Sequence, residues 1–290
     1  MTRILIKDGL VVDPSQSLEA VRDVLIAGGK VAAVRAGLSR QKGLAGPDVR
    51  VIDAKGRWVL PGLVDMHVHL REPGREGDET IATGTRAAAK GGVTTVLAMP
   101  NTEPVIDTPA LVRFVYSRAR AEAAVNVLVA GAVTRGQLGL ELTEMRKMAE
   151  AGAVAATDDG RPVMNAQVMR RALEYAKAFG FPILDHCEDD HLSAGGVMNE
   201  GTPALVKGVA GIPAASETVM AMRDISLAEL TGGRLHLCHV SCAETVALVR
   251  RAKKRGVQVT AETAPHYFTL TDADVPGYDA NFKMNPPLRS

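Results

Sequence analysis

Five short apolar segments of this chain each end in histidine or carboxylate side chains, and this repeat constrains the fold more than any other feature. The polar ends are Asp65-Met66-His67-Val68-His69, Asp158-Asp159, Asp185-His186-Cys187-Glu188, His236-Leu237-Cys238-His239 and Glu262-Thr263-Ala264-Pro265-His266. Helical stretches separate the segments, and strands that alternate with helices form parallel sheets. Polar groups at the carboxyl ends of successive parallel strands are typical of a (β/α)8 TIM-barrel enzyme. We therefore predict an α/β fold of this type.

The first of these polar ends favours a metal site. His67 and His69 are two residues apart, so in a strand their side chains point to the same side. Two imidazoles directed at one point provide a pair of metal ligands. Two hydrogen-bonded histidines near a strand end are the structural alternative, but the similar polar ends elsewhere in the chain favour a metal.

The composition is that of an ordinary globular protein. Of the 290 residues, 46% are apolar and 23% are charged, which suits one large domain with or without a small one. The net charge of +1 gives no reason to expect nucleic acid or a membrane surface as a partner. The three cysteines cannot form a disulfide framework, and no segment has the pattern of a secretory signal or a membrane span. We therefore predict a reducing, cytoplasmic location.

The sequence divides into two predicted domains. Residues 1–56 are β-rich, and we expect Asp8-Gly9 and Gly28-Gly29 to form tight turns in the antiparallel N-terminal part of a small β-sandwich domain. Residues 57–290 alternate between strands and helices and contain seven barrel strands. The eighth strand is missing from the chain as written, so we expect a metal-dependent hydrolase barrel that is incomplete at its C-terminus.

The chain resembles a dihydroorotase of the bacterial class I type, in the amidohydrolase superfamily. Six motifs carry the resemblance: DMHVHLREPG from residue 65, AMPNT from residue 98, TDDG from residue 157, DHCE from residue 185, HVS from residue 239 and KMNPPLR from residue 283. The resemblance implies a zinc-dependent cyclic amide hydrolase. Its expected reaction is the reversible cyclisation of N-carbamoyl-L-aspartate to (S)-dihydroorotate in de novo pyrimidine biosynthesis.

The resemblance also implies the metal ligands. His67 and His69 resemble the ligands of one zinc ion, and His186 and His239 resemble those of a second. Asp159 resembles the carboxylate that, with a hydroxide, bridges the ions, a position where many relatives have a carbamylated lysine. One or two Zn²⁺ ions are therefore expected, and two neighbouring metals lower the pKa of a bridging water toward ~7.

Four further residues have less definite assignments. Asp158 is the alternative to Asp159 as the ligand. His191 and His236 are expected to be structural or on the surface, and His236 is expected to face the helices because it is out of register with His239. His266 either contacts a metal ligand or is only a loop contact.

Three residues resemble the substrate-binding residues of the family. Arg71 offers a bidentate fork to the substrate carboxylate, and Asn101 can donate to the same group. Asn285 resembles the residue that binds the edge of the pyrimidine ring. The alternative for Arg71 is a surface ion pair with Glu72.

Several alternatives stay open at the level of sequence. Allantoinases and hydantoinases share the barrel and the HxH motif but lack the pair of Arg71 and Asn101, so we rank dihydroorotase first. The general acid/base aspartate of the family is expected beyond Ser290, and we expect weak or no activity from the chain alone. We favour a fragment of a longer enzyme over a natural truncation or a barrel completed by a partner. An inactive scaffold that binds aspartate carbamoyltransferase is the second functional hypothesis, and a homodimer is the expected assembly.

Overall fold

The computed structural model describes residues 3–44 and 46–290. Contacts divide the chain into two compact units, Met1–Leu63 and Val64–Ser290. This division lies seven residues after the boundary that we placed at residue 56. Among the described residues, no helix is both long and apolar enough to cross a lipid bilayer.

The first unit contains one five-stranded sheet. Its strands are β1 (Arg3–Asp13), β2 (Leu18–Ala27), β3 (Lys30–Arg35), β4 (Val49–Asp53) and β5 (Trp58–Val59). The order is β3-β2-β1-β4, and β5 also pairs with β1. Strands β1 to β3 are antiparallel, but β4 and β5 run parallel to β1, so the prediction of an antiparallel sheet is wrong in part. β4 lies on the side of β1 that is opposite to β2. The chain therefore crosses the sheet after β3, and β4 runs in the same direction as β1.

One of the two predicted turns in this unit is confirmed. Gly28 and Gly29 connect β2 to β3 with φ values of +60° and +76°, which favour glycine. Asp8 and Gly9 do not form a turn, because they lie inside β1, where the pairing register with β2 shifts. Asp8 has a φ of +59°, and the pair forms a bulge in a continuous strand.

The second unit contains the predicted alternation of strands and helices. In chain order these are β6 (Leu63–Val68), α1 (Ile81–Lys90), β7 (Val93–Ala98), α2 (Pro109–Glu122), β8 (Asn126–Gly131), α3 (Met145–Glu150), β9 (Ala155–Thr157), α4 (Ala166–Lys177), β10 (Ile183–Asp185), α5 (Asp190–Ser193), β11 (Met198–Asn199), α6 (Thr202–Lys207), β12 (Gly211–Ile212), α7 (Ala215–Thr231), β13 (Leu235–Leu237), α8 (Ala243–Lys254), β14 (Val259–Ala261) and α9 (Pro265–Thr269). The sheet order is β6-β7-β8-β9-β10-β13-β14, and every neighbouring pair from β7 to β14 is parallel. Seven barrel strands were predicted and seven are found in the described residues. The β11–β12 ribbon and its short helices, which interrupt the alternation, were not predicted.

The helices form where local sequence supports them and bury one face. In α4, the side chain of Asn165 accepts hydrogen bonds from the N–H groups of Gln167 and Val168 and so caps the helix. The buried residues of α4 follow at helical spacing: Met169, Ala172, Leu173 and Ala176.

Strand alternation gives the sheet two different apolar faces. The face toward the helices contributes Val96, Val129, Ile183 and Leu235 to the larger core, together with residues of α4 and α7. The opposite face carries a smaller cluster, which consists of Leu97, Met99, Ala130, Ala155, Leu184 and Cys238. We call this second face the inner face. Side chains two residues beyond a member of the inner cluster continue along that face, which positions the candidate site.

Candidate metal centre

The five predicted metal ligands meet at the carboxyl ends of the barrel strands. Asp159 follows Ala155 and Thr157 along the inner face of β9. His186 follows Leu184 in the same way, directly after β10. His67 lies in β6 and His69 just beyond its end, whereas His239 lies two residues after the end of β13. The strand ends therefore bring together residues up to 172 positions apart in the sequence (67 to 239).

Each oxygen of Asp159 faces one pair of imidazoles. Oδ2 lies 3.2 Å from His67 Nε2 and 3.4 Å from His69 Nε2. Oδ1 lies 3.3 Å from His239 Nε2 and 3.8 Å from His186 Nδ1. The carboxylate is buried, with its side chain 3% exposed. This arrangement is the one that a carboxylate bridging two cations requires.

In three of these rings, the nitrogen that points away from Asp159 has a hydrogen-bond partner, which fixes the nitrogen that faces Asp159. His67 Nδ1 lies 3.0 Å from Glu262 Oε1, and His186 Nε2 lies 2.7 Å from Glu188 Oε2. Because a carboxylate can only accept, these two nitrogens carry the proton. His69 Nδ1 lies 2.9 Å from Asn101 Oδ1 and donates in the same manner. In each of these three rings, the nitrogen that faces Asp159 is therefore the one that can bind a proton or a metal ion.

The spacing of these donor atoms suits metal coordination. Two atoms bound to one zinc ion at about 2.0–2.1 Å and tetrahedral angles lie about 3.3 Å apart. His67 Nε2 and His69 Nε2 are 3.3 Å apart, and their distances to Asp159 Oδ2 are close to the same value. Lone pairs that face each other at this distance repel unless a positive charge lies between them. The combination of imidazole nitrogen and carboxylate oxygen is also a donor set that zinc accepts.

The electrostatics of the cluster favour positive charge at its centre. Burial alone would raise the pKa of Asp159, but hydrogen bonds from His239 and His67 hold it well below its usual range. Burial alone would lower the pKa of His67, yet Asp159, Cys238 and Glu262 raise it to about 12. A cation, either a proton or a metal ion, is therefore strongly stabilised beside Asp159.

The backbone of His239 departs from the strand. Its φ is +36°, an uncommon value for a residue with a side chain, and such departures are frequent at functional sites. The following turn is held by Glu217 of α7, whose carboxylate accepts the N–H groups of Ser241 and Cys242 and the hydroxyl of Ser241. Arg289 Nη2 lies 4.0 Å from Glu217 Oε2, and Arg289 Nε donates to the hydroxyl of Ser241 at 3.1 Å.

The same departure makes our prediction for His236 wrong in part. Leu235 and Leu237 pack toward the helices, so His236 lies on the inner face together with Cys238. The prediction assumed that the strand alternates regularly up to His239, which would place His236 on the side of the helices. The alternation breaks at His239, so this assumption fails. His236 is buried and not on the surface, and its Nδ1 lies 2.8 Å from Thr260 Oγ1 on β14.

Asp158, the alternative ligand, points away from the histidines. Its carboxylate accepts the N–H groups of Val133 at 2.8 Å and Thr134 at 3.0 Å, and also the hydroxyl of Thr134. Burial raises its pKa to about 6 despite these donors. Asp158 therefore fastens the loop after β8 to β9, and Asp159 is the carboxylate that the structure places among the imidazoles.

The predicted substrate residues lie around the cluster. Arg71 is half-buried in the loop after β6, where its φ of +58° ends the strand alternation we had assumed. Burial lowers the pKa of His69, with smaller contributions from the charges of His67 and Arg71, although Asp159 and Asn101 act in the opposite direction. Glu72, the alternative partner of Arg71, instead binds Arg118 at 2.7 Å.

The other candidates have contacts that the sequence did not indicate. Asn101 was predicted to bind substrate, and its Oδ1 contacts His69. Asn285 Nδ2 donates to Glu188 Oε2 at 3.0 Å. His266 packs against the ring of Tyr267, with centroids 4.1 Å apart, and His191 is exposed on α5.

Sequence reasoning placed Glu262 and Glu188 in the polar ends of apolar segments but gave neither residue a role in the site. Both follow short apolar segments, as the predicted ligands do, and this position was the signal that could have found them. Glu262 follows β14 and contacts His67, and Glu188 follows β10 and contacts His186.

The family of the chain follows from comparison with known proteins. The family model described as dihydro-orotase-like matches residues 56–245. The chain belongs to the dihydro-orotase-like family. It is 56% identical over 288 residues to a dihydroorotase from Pelotomaculum thermopropionicum and 53% identical over 289 residues to one from Anaeromyxobacter sp. strain K. Each alignment covers 99% of this chain and 66% of the relative, so the chain spans just under two thirds of these dihydroorotases.

Solved structures of hydantoinases share the dihydro-orotase-like fold of the chain. L-hydantoinase from Arthrobacter aurescens superposes with a TM-score of 0.84 at 26% identity and covers 100% of this chain and 64% of its own. Dihydropyrimidinase from Brevibacillus agri NCHU1002 superposes with a TM-score of 0.79 at 27% identity, with the same coverage. These neighbours support the predicted barrel architecture.

Proposed function

We propose that this chain carries the metal-binding and substrate-binding part of a dihydroorotase. The observation that carries the proposal is the convergence of four imidazoles on the two oxygens of Asp159. The identity of 51–56% to dihydroorotases over 99% of the chain supports this activity. The proposed reaction is the reversible cyclisation of N-carbamoyl-L-aspartate to dihydroorotate.

Zinc is the metal that we propose for this site. His67, His69, His186 and His239 would hold one or two ions, with Asp159 between them. When bound, zinc supplies a water of lowered pKa and polarises the amide carbonyl of the substrate. The protein contributes ring orientation, because Glu262, Asn101 and Glu188 each fix one imidazole.

Arg71 is the residue that we propose for recognition of the substrate carboxylate. Arg71 is half-buried two residues after His69, its charge lowers the pKa of His69, and a planar fork of donors matches a carboxylate. Asn101 and Asn285 lie at two other positions around the same cluster. Dihydroorotate carries a carboxylate next to its ring amide, and dihydrouracil has the same ring without that group.

Comparison of these two ligands tests the proposal. Calorimetry of the zinc-loaded protein is expected to show binding of dihydroorotate at least tenfold tighter than binding of dihydrouracil. Arg71→Gln is expected to weaken dihydroorotate binding ~10- to 100-fold, because a charge-assisted pair contributes ~1.5–3 kcal/mol. Arg75→Gln is the matched control, since Arg75 lies in the same loop but pairs with Asp78 on the surface. Equal affinities for both ligands, unchanged in Arg71→Gln, would overturn the proposal.

A hydantoinase or dihydropyrimidinase is the second candidate function. The structural likeness to such enzymes, with a TM-score of 0.84, favours it. The same titration separates the candidates, because an enzyme of this kind would bind dihydrouracil or hydantoin without needing Arg71. The homodimer and the association with aspartate carbamoyltransferase stay predictions, which light scattering of the protein alone and mixed with that enzyme would test.

A further inference from the structure

Glu262 connects the two ends of the barrel sheet at the candidate metal centre. It directly follows β14, which is one edge strand in the sheet order, and it contacts His67 of β6, the strand at the other edge. Its Oε1 lies 3.0 Å from His67 Nδ1 and accepts the backbone N–H of His239 at 2.7 Å. The same oxygen atom of Glu262 therefore contacts the ring of His67, which belongs to the pair His67 and His69, and the backbone of His239, which belongs to the pair His186 and His239.

The contact with His67 determines the orientation of that ring. Because Glu262 accepts the proton of Nδ1, Nε2 is the nitrogen of His67 that is available to a metal ion, and it faces Asp159 Oδ2 at 3.2 Å. A carboxylate behind an imidazole also makes the ring a stronger metal ligand. The side chain of Glu262 is 23% exposed, so this interaction is only partly screened by water.

The contact with His239 acts on the main chain. His239 has a φ of +36°, and its buried Nδ1 has no hydrogen-bond partner among residues 3–44 and 46–290. Within that part of the chain, no acceptor orients its ring as in the other three histidines. The N–H bond to Glu262 instead fixes the backbone from which this ring projects. Among the described residues, Glu262 is thus the one that contacts a candidate ligand from each pair, His67 and His239, through a single atom.

We propose that Glu262 is a positioning residue for the metal centre, which aligns His67 by its ring and His239 by its backbone. This inference rests on the proposed function, because it assumes that the cluster binds zinc. The competing explanation is that Glu262 only ties β14 to its neighbours, in which case its removal would lower stability without changing how metal is bound.

The zinc affinity and the cobalt spectrum of Glu262 variants test this inference. Zn²⁺ binding to the 290-residue chain is measured by competition with a chromophoric chelator, and Co²⁺ replaces Zn²⁺ for absorption spectra. We expect Glu262→Ala to weaken Zn²⁺ binding ~10- to 100-fold, the usual effect of losing an outer partner of a histidine ligand. Glu262→Gln is expected to weaken binding less, since its amide oxygen can still accept, and both variants should show shifted Co²⁺ bands.

Glu244→Gln is the matched control, because Glu244 is exposed at the start of α8 and lines the same cavity as Glu262. It is expected to leave affinity and spectrum unchanged. Wild-type affinity and an unshifted Co²⁺ spectrum in both Glu262 variants would overturn the inference, even if their melting temperatures fell. If Glu262→Ala does not fold, Glu262→Gln decides by the same two readouts. Failure of the wild-type chain to bind Zn²⁺ would instead overturn the proposed function, so the two failures are distinguishable.

Discussion

Removal of the carboxylate of Glu217 should destabilise the barrel unit severely. Glu217 is 3% exposed and accepts two backbone N–H groups and the hydroxyl of Ser241, with Arg289 at 4.0 Å. Glu217→Ala leaves these three donors without their acceptor and removes the carboxylate that faces the guanidinium of Arg289, which is 9% exposed and keeps its bonds to Ser241, Asn199 and Ile212. Loss of one partner of a buried charged pair costs ~3–5 kcal/mol, so we expect the free energy of unfolding to fall by about that amount. For a unit of this size, the melting temperature should fall by ~6–20 °C.

A second glutamate of α7 provides the control. Glu229 forms an ion pair with Arg255 at a shorter distance, 2.9 Å, but the two side chains are 46% and 50% exposed. Exposed pairs contribute ~0–1 kcal/mol, so Glu229→Ala should change stability little. Urea unfolding followed by circular dichroism measures both variants. Equal losses of stability in the two variants would refute the argument that burial, and not the ion-pair distance, determines the cost.

Two further predictions concern an acid titration and a glycine. The pKa of Asp23 is lowered because hydrogen bonds from the N–H groups of Ser39 and Asp8 outweigh burial. Its folded-state pKa thus lies below the unfolded value, so the first unit should lose stability as the pH falls through that folded pKa. Asp23→Asn should remove this dependence in acid-unfolding curves, and an unchanged slope would contradict the assignment. Gly160 has a φ of +84°, and an added Cβ would lie 3.2 Å from Asn101 Nδ2. Gly160→Ala should therefore cost ~1 kcal/mol or more and weaken metal binding by displacing Asn101, whereas Gly180→Ala, with a φ of +69° and open space, should affect stability alone. Equal metal affinities in the two glycine variants would contradict the role given to Asn101.

Strand periodicity predicted the site wherever the strand continues regularly into the functional residue. Thr157 to Asp159 and Leu184 to His186 keep the two-residue alternation, so their side chains remain on the inner face. For these positions, the apolar pattern of the sequence was sufficient.

Periodicity failed where the backbone leaves the extended region. Arg71 and His239 have φ values of +58° and +36°, and neither value can be inferred from the apolar pattern. The assumed face of His236 was wrong for the same reason, and the bulge at Asp8 was taken for a turn. The position of Glu262 after an apolar segment marked it as a residue of the site, but the sequence could not show which ligand it contacts, since His67 and Glu262 are 195 positions apart.

The remaining error concerned the direction in which β4 pairs with β1 in the first unit. Short β-rich segments predicted a sheet in the first unit, but not that β4 would pair with β1 in parallel. Strand propensity describes the conformation of a segment, whereas the pairing depends on the path that the chain takes between segments.

The measurement that tests the central claim most directly is the zinc content of the purified chain and of three variants by atomic emission. The account predicts bound zinc in the wild type and a large loss in His67→Ala and Asp159→Ala. It also predicts that Asp158→Asn keeps its zinc, because Asp158 bonds to Val133 and Thr134 and not to the histidines. Unchanged zinc content in both His67→Ala and Asp159→Ala would contradict the claim that this cluster is a metal centre.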